Sequence, residues 1–208
     1  MDHSQRYQIP LTLSVAIDFM RGEETEIFGA LGNFQTGKPL LYVHLGSHTK
    51  LIQIDKSSRI VAGASTLAGE LLHGLQTQTI LRSSLPEEPL SCISADSFKQ
   101  GWENSRTVGF TRSLFHVRIL DLCSDLSKEA LRSYLLGVIL SQEYLCLTQF
   151  LKEVNVELVV LSGLPNNQLA WKWGLEQMGL IVHSLTAKET EQAFLRGLFA
   201  IFSTNQGS

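Results

Sequence analysis

No stretch of this sequence is long and apolar enough to span a membrane, and its polar start, MDHSQRYQ, lacks the charged-then-apolar order of an export signal. A soluble, cytoplasmic protein is expected. Cysteine is scarce: Cys92, Cys123 and Cys146 are far apart and form no CxxC pair, which argues against a disulfide framework or a zinc site and suits a reducing compartment. Positive charge is neither abundant nor clustered. With 17 Lys and Arg against 20 Asp and Glu, the net charge of -3 gives no footprint for nucleic acid or anionic lipid. The expected partners are therefore small molecules or protein. No internal repeat or low-complexity tract divides the chain, and 208 residues suffice for one domain with a proper core.

Two textures alternate along what is there. LLYVHLG, KLIQID and RIVAGAS are short aliphatic runs separated by the turn residues Gly46-Ser47-His48 and Lys56-Ser57-Ser58, as adjacent antiparallel strands are. From Thr66 to Leu81, Leu67, Leu71, Leu75 and Ile80 recur at roughly helical spacing, with Ser65 or Thr66 as N-cap. The proline-containing stretch Arg82 to Leu90 reads as a loop. A second helix is expected around Ser94 to Glu103, and SKEALRSYLLGVILSQEYLCLTQFLKEV is a long helix whose apolar density marks it as core. The last third runs strand (VELVVLS), helix (NNQLAWKWGLEQMG), strand (LIVHSL), helix (KETEQAFLRGLFAIFS), which implies parallel strands joined by crossover helices.

Three meander strands, then helices, then two strands each followed by a helix is the order of a ribonuclease-H-like core. That core is the repeated half of the actin, hexokinase and Hsp70 class of ATP-binding proteins. The fold class expected is α/β: an actin/hexokinase-type ATPase lobe whose mixed sheet joins three antiparallel strands to parallel ones. Residues 39–208 would form the lobe, and residues 1–38 an N-terminal segment carrying MRGEET.

Two short motifs carry chemistry. MRGEET, from Met20 to Thr25, sets two glutamates after a glycine; such acids are either a helix start, favoured by the positive end of the helix dipole, or a proton acceptor. GSHTK, from Gly46 to Lys50, joins two strands, and a turn of small residues can aim backbone N–H groups at an anion, although an ordinary hairpin has the same composition. His44, His73, His116 and His183 share no metal-binding spacing and read as core or edge residues. Nothing supports a hydrolase. Trp171 and Trp173 cannot share a helix face, so one is expected in the core and the other near the surface.

FMRGEETEIFGAL, LGSHTKL, AGELLHGLQTQTIL, SLFHVR, SYLLGVILSQEY, VVLSGLPNNQLAWKWGLEQMG and AFLRGL, in this order from Asp18 to Phe202, resemble the 2-dehydro-3-deoxygalactonokinase family. That family phosphorylates 2-dehydro-3-deoxy-D-galactonate with ATP. Its members carry a longer N-terminal portion with an Asp-containing, Gly-Ser/Thr-rich phosphate loop, so this chain looks like the second half of the kinase. The resemblance implies ATP and Mg²⁺ as cofactors, a sugar acid and a nucleotide as ligands, and either a first lobe on another chain or a homo-oligomer. A noncatalytic remnant of the ATPase fold, acting as a binding or interaction module, is the alternative.

The resemblance also implies roles. Glu23 matches the acid that accepts the hydroxyl proton in related sugar kinases, with Glu24 as second candidate, and Arg21 offers a planar donor fork to the substrate's acid group or a phosphate, or else orients the glutamates or pairs structurally with Glu24. Gly46, Ser47, His48 and Lys50 match the family's Gly-Thr-His-x-Lys phosphate turn. Ser47 keeps the threonine hydroxyl, and Leu45 replaces a frequent proline. Lys50 and His48 are equally open to readings as a strand-edge charge and a turn filler. Glu70, in the Gly-Glu-Leu segment, is a substrate contact or a helix-dipole acid. Ser162 and Gly163, closing the strand VELVVLS, stand where this class meets adenosine, with Pro165 altering the start of the helix that follows. No residue is assigned as a direct metal ligand.

Overall fold

Side chains alternate between the two faces of a strand, and that alternation builds the centre of the molecule. The computed structural model describes residues 18, 20–32, 34, 37–86, 88, 90–151, 156–163 and 165–204. In it β1 (Leu40–Leu45) pairs antiparallel with β2 (Thr49–Ile54) and parallel with β4 (Leu158–Gly163). β3 (Ile60–Thr66) continues the meander and β5 (Ile181–Ser184) lies parallel to β4, giving the order β3-β2-β1-β4-β5. Leu41, Val43 and Leu45 enter one apolar cluster, Leu40 and Tyr42 the other. A strand buried on both faces reads as a continuous apolar run, which is the texture of LLYVHL. The mixed sheet and element order are those expected of the ATPase lobe.

Helices cover both faces. On one lie α1 (Glu23–Leu31) and α7 (Ala187–Thr204), whose Ile27, Ala30 and Ala193 pack with Tyr42, Ile52 and Val160. The two helices cross closely, since a methyl group on Gly29 would overlap the Ala193 carbonyl and one on Gly197 the Thr25 carbonyl. The other face carries α2 (Ala68–Gln78), α5 (Lys128–Phe150) and α6 (Pro165–Gln177), with α3 (Ala95–Thr107) and α4 (Phe110–Cys123) against α5. Burial of α5 is nearly continuous from Leu131 to Ser141, as its apolar density required.

Some elements differ from the sequence reading. The helix expected to run to Leu81 stops at Gln78. Thr79 then accepts the Leu81 N–H and starts a 3-10 turn, Ile80–Ser84, that replaces the end of the expected helix and enters the expected loop. Leu67, not Ser65 or Thr66, takes the N-cap position of α2, while the Thr66 hydroxyl donates to Glu143 and accepts the Ala68 amide at 3.5 Å. α4 has no counterpart in the reading: it buries only Ser113 and Val117, too narrow a strip to register as amphipathic. α1 continues the acidic helix start through a full packed helix to Leu31. The end of the long expected helix, 152–154, lies outside the described residues. Trp171 is buried and stacked on Tyr144, while Trp173 is half-buried, edge-on to Phe98. No helix among the described residues is long and apolar enough to cross a membrane.

Candidate functional site

The carboxyl ends of β1 and β4 lie side by side, Leu45 in register with Gly163, and open α/β sheets take their ligands beyond such ends. Two connections meet there, the GSHTK turn into β2 and the turn into α6. Gly163 is required to be glycine, because its φ is +92° and a Cβ would overlap the Leu45 carbonyl. Gln168 ties this corner together, its Nε2 donating to the carbonyls of Gly163 at 3.1 Å and Leu185 at 3.0 Å.

On the α1 side of the sheet, Gly22 turns the chain through φ +108° into a helix whose first turn holds three acids, the end at which the dipole favours them. Glu23 Oε2 accepts the Arg21 amide at 2.6 Å and Glu24 Oε2 the Gly22 amide at 2.9 Å. The other Glu23 oxygen lies 3.5 Å from Lys50 Nζ. Lys50 points to this side because it is the cross-strand partner of His44. Burial opposes the Glu23 charge, but the Arg21 amide, its own amide, Lys50 and His44 prevail and hold the carboxyl below its ordinary pKa. The Arg21 residue itself is exposed beside it.

Beneath this pair sits a buried polar network. Tyr42 OH donates to Glu26 Oε1 at 2.6 Å, and His44 Nδ1 lies 3.3 Å from the same oxygen and 3.0 Å from Ser162 Oγ. Burial again opposes the Glu26 charge, and the hydrogen bonds from His44, Ser162 and Tyr42 outweigh it, lowering the pKa. The Tyr42 phenol is pushed up by burial and by the adjoining carboxylate. Ser162 is wholly buried, its hydroxyl turned to His44.

On the opposite side of the sheet, the start of α2 is stitched to the GSHTK turn. The Glu70 amide donates to the Ser47 carbonyl at 2.8 Å, and Gly69 passes so close that a Cβ would overlap the carbonyls of Gly46 and Ser47. His48 Nε2 lies 3.0 Å from Glu70 Oε1 at the exposed rim. From here a cleft of about 360 Å³ opens, lined among others by Gly46, Ser47, Glu70, Gln76, Arg132 and Asn167. Its neighbour on α5, Glu143, accepts the Thr66 hydroxyl at 2.6 Å. Burial raises the Glu143 pKa, offset only in part by Thr66 and Thr49.

The fold therefore gathers the sequence-selected residues at one sheet edge, divided by the turn. Glu23 and Lys50 meet on the α1 side; Gly46, Ser47, His48 and Glu70 meet at the start of α2; Gly163 forms the adjoining corner. Glu24 and Arg21 flank Glu23. Ser162 joins a network that sequence reasoning missed, made with Glu26, Tyr42 and His44. The i, i+2 spacing of Tyr42 and His44 on one strand face was the only signal available. Arg132, Asn167 and Glu143 left none, since they reach the edge from helices distant in the chain.

A family model described as 2-keto-3-deoxy-galactonokinase matches residues 10–201. A curated relative from Rhizobium meliloti (strain 1021), named a probable 2-dehydro-3-deoxygalactonokinase, is 26% identical over 180 residues, 86% of this chain. The chain spans 58% of that relative's length. A crystal structure described as a 2-dehydro-3-deoxygalactonokinase protein from Sinorhizobium meliloti superposes with a TM-score of 0.72 at 24% identity, covering 88% of this chain and 61% of that one. The activator of 2-hydroxyisocaproyl-CoA dehydratase from Clostridium difficile with bound ADPNP superposes with a TM-score of 0.55 at 12% identity, covering 90% and 68%. At these identities the structural likenesses show a shared fold.

Proposed function

The chain belongs to the 2-keto-3-deoxy-galactonokinase family, and on that premise we propose that it transfers the γ-phosphate of ATP to a hydroxyl of 2-dehydro-3-deoxy-D-galactonate. The observation that supports this most is the meeting of MRGEET and GSHTK at one sheet edge, with Glu23 3.5 Å from Lys50. An acid placed beside a phosphate-holding turn is what transfer to an alcohol needs.

In this reading Glu23 accepts the hydroxyl proton while the substrate oxygen bonds to the γ-phosphorus. The bond from that phosphorus to the β,γ-bridging oxygen breaks, and ADP leaves. The lowered pKa keeps Glu23 ionised and able to accept at neutral pH; Glu24, one residue on, is the second candidate. Gly46, Ser47, His48 and Lys50 hold the phosphates, and the cleft beside Glu70 and Asn167 takes the nucleoside near the Gly163 corner, while Ser162, turned to His44, supports that corner from beneath. Arg21, exposed next to Glu23, offers its fork to the substrate carboxylate, and Glu70 gives a polar contact at the cleft mouth. Among the described residues no group of three or more His, Cys, Asp or Glu side chains could hold a metal ion. Mg²⁺ would come to this site with the phosphates, and the Ser47 hydroxyl is the side chain of the turn that would stand beside it. When bound, Mg²⁺ would supply positive charge that offsets the charge of the phosphates. A first lobe closing over the nucleotide, or a second copy of the chain, belongs to the same proposal.

ADP release from ATP, Mg²⁺ and 2-dehydro-3-deoxy-D-galactonate tests it directly. Glu23→Gln is expected to lower kcat by roughly 100-fold or more with little change in KM. A folded chain that binds nucleotide but never turns over would reject catalysis by these residues alone and favour the binding-module role.

A further inference from the structure

His44 has one ring nitrogen held inside the fold and the other beside the GSHTK turn. Nδ1 lies 3.0 Å from Ser162 Oγ and 3.3 Å from Glu26 Oε1. Glu26, its pKa lowered, is ionised at neutral pH, and a carboxylate only accepts hydrogen bonds, so the ring hydrogen sits on Nδ1. Tyr42 OH, donating to the same oxygen at 2.6 Å, fixes the carboxylate in turn. The imidazole is therefore set in both tautomer and orientation.

Nε2 has no hydrogen-bond partner among the described residues, and it faces the turn: a Cβ on Gly46 would stand 3.3 Å from it. The side chain is 22% exposed. Because Nδ1 is enclosed by the buried Ser162 and Glu26, the exposed part of the ring lies away from them, on the Nε2 side. Glu23 and Glu26 face His44 from α1, and Lys50 faces it from β2 as its cross-strand partner. His48, on the other side of the turn, is taken by Glu70. An anion on the turn adds to the charge of the two carboxylates, and a proton on Nε2 offsets it.

Resting on the nucleotide reading above, we infer that His44 is a further phosphate contact: when the ligand binds, Nε2 takes a proton from solvent and donates it in a hydrogen bond to a phosphate oxygen held by the GSHTK turn. Nδ1–H stays on Ser162 and Glu26 throughout. The imidazolium is then paired on one edge with a buried carboxylate and on the other with phosphate, which is a charge-assisted hydrogen bond on each side. Since His44 lies on the Glu23 side of the turn, the phosphate it meets is the one next to the proton acceptor.

Calorimetric titration of the full chain with the non-hydrolysable analogue Mg-ADPNP at pH 6 and pH 9, on either side of the usual histidine range, reads this. His44→Asn keeps an amide donor where Nδ1 stands and deletes Nε2. It is expected to weaken binding roughly 10-fold at pH 6, the effect of one lost hydrogen bond between charged groups, and by less than twofold at pH 9. His44→Gln, whose amide reaches the Nε2 position, should recover part of the affinity at pH 6. Nitrogen-15 spectra of the wild type at pH 7 test the same step without touching His44: on addition of Mg-ADPNP one histidine should gain a proton at Nε2 while keeping its Nδ1 proton, and the signal should persist in His48→Asn. Equal losses at both pH values, no loss at pH 6 in a folded His44→Asn chain, or spectra in which no such histidine changes overturns the inference. A wild-type chain that binds no Mg-ADPNP at either pH overturns the nucleotide reading itself, and the inference falls with it.

Discussion

Glu26 carries its charge at 6% exposure on the inner side of α1, and the Tyr42 phenol and His44 ring are placed to hold it. Because the folded pKa lies below that of an unfolded glutamate, its contribution is fully present above the unfolded value and fades as pH falls through the folded one. Glu26→Gln should therefore flatten the acid side of the stability profile. Urea midpoints measured from pH 6 down to pH 3 check this: the wild type is expected to lose stability more steeply than the variant, and parallel curves would show that Glu26 is not the titrating group. The same network places His44 between the buried carboxylate and the turn, with its Nε2 on the side of Gly46. At this scale the sequence marked Glu23 through its motif but could not mark Glu26, because only packing shows which acids of a helix turn face inward.

Between elements, glycines set the distances that carry the site. α1 can present Glu23 at the sheet edge because it rests closely on α7, and Gly29 and Gly197 remove the side chains that would hold the two apart. Gly197→Ala is expected to destabilise the protein by about 1–3 kcal/mol, the usual cost of overpacking. The helical Gly74, whose Cβ would meet nothing within 4 Å, is the contrast: Gly74→Ala should stabilise by about 0.5–1 kcal/mol. Denaturant unfolding of both variants separates close packing from helix propensity, and equal effects would remove the packing argument. Elements with a wide buried stripe or continuous apolar texture, such as α5 and β1, were legible. α4 was not, because its single buried strip holds little more than Val117.

For the molecule as a whole, a ligand seated across β1, β4, α2 and α5 ties together elements from distant parts of the chain. A nucleotide at 100 times its Kd stabilises the state that binds it by about 2.7 kcal/mol, a rise of roughly 5–10 °C in Tm for a domain of this size. Thermal melts with and without Mg-ADP check this, and an unmoved Tm at saturating concentration would count against the cleft as a nucleotide site. The sequence by itself determined the order of the strands, all the longer helices except α4, and the buried centre of the sheet, because hydrophobic periodicity acts over a few residues at a time, and its motifs carried the resemblance to the family. Only the tertiary structure decided that Glu23 meets Lys50 and that Ser162 turns to His44 rather than to the cleft. Those contacts join residues far apart in the chain, and their geometry follows from how the two helical layers close on the sheet.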